Sequence, residues 1–231
     1  MYPMGFFWDP TMIILIPGLL FALWAQYMIK STFAKYSNIR SSRNITGAEA
    51  AKEIARRKIT GINIPVEHIS GNLTDHYDPR QKVLRLSDSV YGSTSIAAIG
   101  VAAHEVGHAI QHNEGYLPLI LRNSIVPVVN LSSTMAFPIF FIGLLIKSGT
   151  MLDVGIILFS AALVFHLITL PVEINASTRA VSILRNTGML SEQELSGVKK
   201  VLTAAALTYV ASLAMSILQL LRLVLIRNSR R

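Results

Sequence analysis

Apolar residues in this chain fall into two kinds of run, long ones without charge and short ones with a period. Residues 11–29 (TMIILIPGLLFALWAQYMI) hold 19 positions without a charge, and residues 124–146 hold 23. A third run covers 151–170 and a fourth 201–221. About 20 apolar residues suffice for a helix to cross a bilayer, so the pattern predicts four membrane spans. Pro17, Pro127 and Pro138 lie inside these runs, where membrane helices tolerate proline. Between the first two spans the pattern changes. Thr46 and Glu49 have capping-box spacing and predict a helix to about Lys58, with Gly61 as its stop. Runs at 66–70, 72–77 and 82–87, separated by Gly71 and by Asp78-Pro79-Arg80, predict a small antiparallel sheet. Residues 95–112 place Ile96, Ile99, Ala103, Val106 and Ile110 at helical spacing. Pro171 predicts a break or bend after the third span. A separate polar helix should follow from Val172 to about Asn186, with Gly188 as its stop. Ser191 and Glu194 form a second capping box that opens the last helix.

Composition supports this picture. The chain is 52% hydrophobic and only 15% charged, too little charge to cover a soluble globule of 231 residues. Its net charge of +8 does not point to nucleic acid, because the basic residues gather beside the apolar runs. Lys30, Lys35, Arg40, Arg43, Lys52, Arg56, Arg57 and Lys58 face only Glu49 and Glu53 across 30–58. The positive-inside rule puts that segment in the cytoplasm and the N-terminus outside. Trp8, Trp24 and Tyr27 suit the interfacial belts. The start of the chain lacks a basic n-region, so the first span is expected to be a retained anchor. Four spans carry the last segment outward with Arg222, Arg227, Arg230 and Arg231, against the same rule. Asn130, Ser132, Ser133 and Thr134 are expected to serve interhelical packing. The segments divide as 1–30, an N-terminal anchor; 31–117, an α+β part on the cytoplasmic side; 118–171, a transmembrane hairpin; 172–190, a polar helix; and 191–231, the last span and a basic tail.

The chemistry concentrates in His104-Glu105-Val106-Gly107-His108. Positions i and i+4 lie one turn apart on a helix, so both imidazoles can reach one ion, at about 2.0–2.1 Å for zinc. Glu105 is placed to act as general base on a water activated by that ion. The mostly apolar lead-in marks the face as buried, where two histidines and a carboxylate are costly unless partnered by a metal or by one another. The chain has no cysteine, so zinc must be held by His and carboxylate. A catalytic zinc needs a third protein ligand. His112 lies eight residues from His104, roughly 12 Å along a helix, and suits a cleft-lining or ligand-supporting role instead. Glu173 opens the polar helix on the side to which the hairpin returns, and it is the expected third ligand. Its alternative role is to complement a helix dipole. Asn175 is expected to hydrogen-bond a ligand. Arg179 is expected either to stabilise a developing oxyanion or bind a substrate carboxylate, or to be a plain surface charge. His166 reads as a packed, hydrogen-bonded residue. Asp153 lies in Leu-Asp-Val-Gly, similar to the Leu-Asp-Gly of site-2-type intramembrane proteases but without their Asn-Pro lead-in.

The chain resembles the YugP-like membrane zinc metallopeptidases over essentially its whole length. The resemblance rests on the N-terminal anchor, the small domain ending in HEVGHAIQ, the membrane hairpin and the segment PVEINAS at 171–177. It is more distantly similar to HtpX-type and CAAX prenyl proteases, which carry a glutamate ligand in a Glu-x-x-Ala-Asp pattern. Glu173-Ile174-Asn175-Ala176 matches its start, and Ser177 stands where that pattern has aspartate. The resemblance implies a gluzincin-like peptidase. The expected molecule is therefore mainly α and integral to the cell membrane as a multi-pass protein, with about four transmembrane helices and a small α+β gluzincin-like zinc-peptidase part. One zinc ion would be held by His104, His108 and Glu173, with polypeptides as substrates and the site on the cytoplasmic side. Rival readings are a site-2-type intramembrane protease, a zinc-stabilised scaffold or chaperone without turnover, and a transporter. Oligomeric state stays open.

Overall fold

The computed structural model describes residues 10–59 and 63–229. Gly61, Trp8, Arg230 and Arg231, given roles above, lie outside the described residues. A 3-10 segment, Pro10–Leu15, leads into α1 (Ile16–Ser37), followed by α2 (Gly47–Lys58). Three short strands come next, β1 (Val66–Ile69), β2 (His76–Asp78) and β3 (Val83–Ser87). Four helices complete the chain, α3 (Ile96–Asn113), α4 (Leu117–Leu145), α5 (Gly149–Asn186) and α6 (Glu192–Asn228).

The helix ends form where the side chains can satisfy them. The Thr46 hydroxyl accepts from Glu49 N, and the Glu49 carboxylate accepts from Thr46 N, the reciprocal arrangement that starts α2. Ser191 and Glu194 repeat it at the start of α6, and the same carboxylate accepts from the backbone and hydroxyl of Ser42. Ser95 caps α3 through Ala98 N. Gly188 follows α5 at φ +62°, a left-handed conformation that glycine adopts without strain.

Two expectations need correction. The sheet is mixed, not antiparallel, with strand order β1-β3-β2. The turn at 79–82 pairs β2 with β3 antiparallel, while β1 lies on the other side of β3 and runs parallel to it. Residues 70–75 cross the end of β3 without pairing along it. Gly71 N donates to the Asp88 carboxylate, and the Asp75 carboxylate accepts from Ser87 N and Oγ. The run expected at 72–77 therefore shrinks to three residues. As the middle strand, β3 buries Val83, Leu84 and Leu86, which explains its weak alternation. The second correction concerns Pro171. It does not end a helix; α5, 38 residues long, runs through it. Proline removes one backbone donor, and a long helix keeps the bonds on either side.

The chain divides into two units. The first comprises Met1–Gln26, Leu121–Leu170 and Thr208–Arg231. Its helical segments are the apolar ones, and all four long helices are long and apolar enough to cross a membrane. Only 11–22% of each most apolar stretch is buried within the protein, so leucine, isoleucine and phenylalanine side chains face outward where lipid can solvate them. A small internal core of Ala136, Phe140, Leu152, Phe159 and Leu223 holds this unit. The Asp153 carboxylate accepts from Arg227 Nε and Nη2 at 2.7 and 2.8 Å, and Arg222 Nε donates to Thr11 Oγ1. His166 is packed as expected, with Nδ1 against Ala162 O and Ser216 Oγ.

The second unit comprises Tyr27–Ile120 and Pro171–Leu207. Its core is conventional. Ile54 of α2, Leu84 and Leu86 of β3, Ile99 and Val106 of α3, Leu184 of α5, and Leu195 and Val198 of α6 are fully buried together. Helix α3 runs through the middle of this core with alanine or glycine at 97, 98, 100, 102, 103, 107 and 109. Such a helix admits close neighbours on several sides.

Candidate metal centre

The centre lies wholly within the second unit. His104 and His108 come from α3, one turn apart, and Glu173 comes from α5 two residues after Pro171. Gly107 is what lets the two helices approach. A Cβ at 107 would stand 2.7 Å from the Ala176 carbonyl oxygen, so any side chain there would push the α5 backbone away. The glycine just before His108 therefore sets how near the carboxylate can come.

The three donor atoms form a nearly equilateral triangle. His104 Nε2 is 3.2 Å from His108 Nε2 and 3.3 Å from Glu173 Oε2, and the third side is 3.5 Å. A tetrahedron with its centre roughly 2.0–2.1 Å from each corner has edges of about 3.3–3.4 Å, which is the geometry of zinc with nitrogen and oxygen donors. Among the described residues these three are the one group of His, Asp or Glu side chains so placed. Glu173 is 2% exposed and His108 8%, so the site is cut off from bulk water on most sides.

The surroundings orient both imidazoles. Gln111 is fully buried, and its Nε2 donates to Val172 O and Asn175 Oδ1, each at 2.9 Å. A backbone carbonyl can only accept, so the amide orientation is fixed and Oε1 faces His108. His108 Nδ1 must then donate to it, at 3.0 Å, which leaves the Nε2 lone pair directed into the triangle. On the other imidazole, His104 Nδ1 lies 3.1 Å from Ser177 Oγ, and a proton shared there likewise frees Nε2. Two lone pairs and a carboxylate oxygen thus converge, an arrangement that calls for a cation at its centre.

The expected supporting residues are all nearby. Asn175 is tied to Gln111 and, through the same oxygen, to Arg179 Nε at 2.7 Å. Arg179 Nη1 donates to Glu114 Oε2 at 2.6 Å, so the guanidinium bridges α5 to the end of α3. His112 does not join the triangle; its Nδ1 shares a hydrogen bond with the Tyr77 hydroxyl at 2.9 Å, linking α3 to β2. Glu105 is buried and lies outside the donor group. Burial pushes the Asp75 carboxyl up, and the Glu105 charge adds to the rise. Asp153 belongs to the first unit, with Arg227 on its carboxylate.

Sequence reasoning missed Gln111 and the role of Ser177. Gln111 had one available signal, a polar residue three positions after His108 on a face read as buried. Ser177 was noted only as a departure from a family pattern, yet it is the residue that meets His104.

A family profile described as "Putative neutral zinc metallopeptidase" matches residues 11–228. A curated protein of Bacillus subtilis (strain 168), "Putative membrane protease YugP", is 52% identical over 212 residues, covering 91% of this chain and 93% of that protein. No solved structure matches the chain.

Proposed function

Because this chain belongs to the family described as "Putative neutral zinc metallopeptidase", we propose that it is a multi-pass membrane zinc metalloendopeptidase. The observation that carries the reading is the 3.2–3.5 Å triangle of His104, His108 and Glu173. Zinc in that place would supply a Lewis acid that acidifies water and polarises a carbonyl. Glu105 accepts the proton of the attacking water and returns it to the leaving amine as the peptide bond breaks. Gln111 and Ser177 hold the imidazoles through Nδ1, so that neither ring turns away. His112 with Tyr77, and Asn175 with Arg179, line the same part of the unit and brace α3 against β2 and α5. Strand β2 is an edge strand packed against α3, and an extended polypeptide can add to its free side. The proposed substrates are membrane proteins, their loops or misfolded chains. The site is assigned to the cytoplasmic side through the basic run at 30–58.

The reading is tested with two variants of the full chain. Glu105→Gln should keep one zinc per chain and lose peptide hydrolysis by about 10²–10⁴-fold. Glu173→Ala should lose the zinc as well. Stoichiometric zinc in Glu173→Ala would remove that residue from the ligand set. Undiminished cellular function in Glu105→Gln would favour a zinc-stabilised scaffold without turnover.

A further inference from the structure

Away from the triangle, the second unit holds a cavity of about 490 Å³ between α1 and α6. Its lining is graded. Met28 of α1 and Leu207 of α6 form an apolar end. Thr32 and Thr203 follow. Lys35, Lys199 and Lys200 come next, with Tyr36 and Ser196 beyond them, and no carboxylate lines the cavity. The order runs forwards along α1 and backwards along α6, so the two helices are antiparallel here and their chemistry is in register. From Met28 to Lys35 the grade spans seven residues, roughly 10 Å of helix.

Gly197 draws the two helices together at the cationic end. A Cβ there would meet the Tyr36 ring at 2.8 Å and the Ile96 side chain at 2.6 Å. The hydrogen bonds of the acids at the start of α6 go to other partners. Both Glu192 oxygens accept from Arg185, and Glu194 holds Ser42 and Ser191. All three lysines are exposed; Lys35 Nζ stands 5.7 Å from the Tyr36 ring centroid, and Lys199 lies within reach of the Glu192 charge. Both helices continue from this unit into candidate membrane spans, on the side where their apolar residues lie.

We propose that this cavity binds one anionic glycerophospholipid. Its phosphate sits among Lys35, Lys199 and Lys200, its glycerol esters meet the Thr32 and Thr203 hydroxyls, and its first acyl carbons lie along Met28 and Leu207. Apolar stem, hydroxyl belt and cationic cap follow one another in the order of the lipid's own parts. A zwitterionic lipid carries the same phosphate but brings its own ammonium, which the three lysines repel. The assignment is independent of the metal centre and of proteolysis.

The test uses the full chain, delipidated in neutral detergent, with native mass spectrometry to count bound lipid and a melting curve to read stabilisation. Wild type should retain one phosphatidylglycerol per chain in preference to phosphatidylcholine. The triple variant Lys35→Gln, Lys199→Gln, Lys200→Gln should bind it on the order of a hundredfold more weakly, about fivefold per lysine. The control Lys30→Gln, Lys52→Gln, Lys58→Gln removes the same charge outside the cavity and should bind as wild type. Thr203→Trp fills the cavity without changing charge and should also lose the lipid. Equal loss in the triple variant and its control, or retention by Thr203→Trp, would reduce the effect to general basicity and overturn the proposal. Inorganic phosphate at millimolar concentration should neither displace the lipid nor raise the melting temperature. If it did both, the ligand would be free phosphate and the lipid assignment would fall.

Discussion

Gln111 shows how much of a metal centre rests on a residue that never touches the ion. It sets the tautomer of His108 and, through Val172 and Asn175, ties the histidine helix to the one that bears Glu173. Gln111→Leu keeps the volume and removes all three hydrogen bonds, leaving a buried carbonyl and a ring free to turn. Zinc affinity, measured by competition with a chelator, should fall about 10–100-fold while Glu105 chemistry remains possible at saturating zinc. Unchanged affinity would show that packing alone orients the ring. At this scale the sequence was legible where function sits in a local spacing. The pairing of His104 with His108 could be read from one helical turn. The bridge from Gln111 to Val172 and that from Ser177 to His104 could not, because these partners lie 61 and 73 positions apart and only the packing of α3 on α5 makes them neighbours.

Among the elements, the close contact of α3 with α5 governs the site. Gly107→Ala places a methyl group against the Ala176 carbonyl, where the structure leaves 2.7 Å. Helix propensity favours alanine by roughly 1 kcal/mol, so a surface glycine of this kind would gain stability. Here the clash should win. The variant should melt lower and bind zinc more weakly, and a higher melting temperature with full zinc would mean that α5 can retreat without cost. Helix starts were legible because capping is local, as Thr46 with Glu49 and Ser191 with Glu194 show. The sheet was less so. Nothing in 66–87 alone says that β3 lies between β1 and β2, since strand order depends on which faces the helices cover. Pro171 misled because the rule that proline ends a helix is weighted by water-exposed helices, and this one follows an apolar run.

For the molecule as a whole, the four arginines near the C-terminus posed a difficulty for four spans. Two of them have partners, Arg227 with Asp153 and Arg222 with Thr11, and the ion pair offsets the charge that the positive-inside rule counts. Helix α6 has 37 residues, about 55 Å at 1.5 Å each, ample for a bilayer about 30 Å thick. The chain has no cysteine, so single cysteines can report sidedness directly. Lys52→Cys in α2 should react with a membrane-impermeant maleimide only after cells are opened, and Thr150→Cys at the start of α5 should react in intact cells. The reverse pattern would turn the molecule over and place the histidine turn outside. The converging donors carry a further consequence, for the order in which a newly made chain matures. Burial opposes protonation of His108, but the carboxylates of Glu173 and Glu105 outweigh it and hold its pKa above the ordinary value. A group raised in this way stabilises the fold fully below its unfolded pKa, about 6.5, and loses that contribution as pH climbs through the folded value. The chelated chain should therefore melt highest in mild acid, and a melting temperature that instead rose from pH 6 to 8 would contradict this. A hydrogen ion can thus act as a placeholder. On the proposed function, the chain would insert and fold inert, and a heavier cation would then displace this temporary tenant.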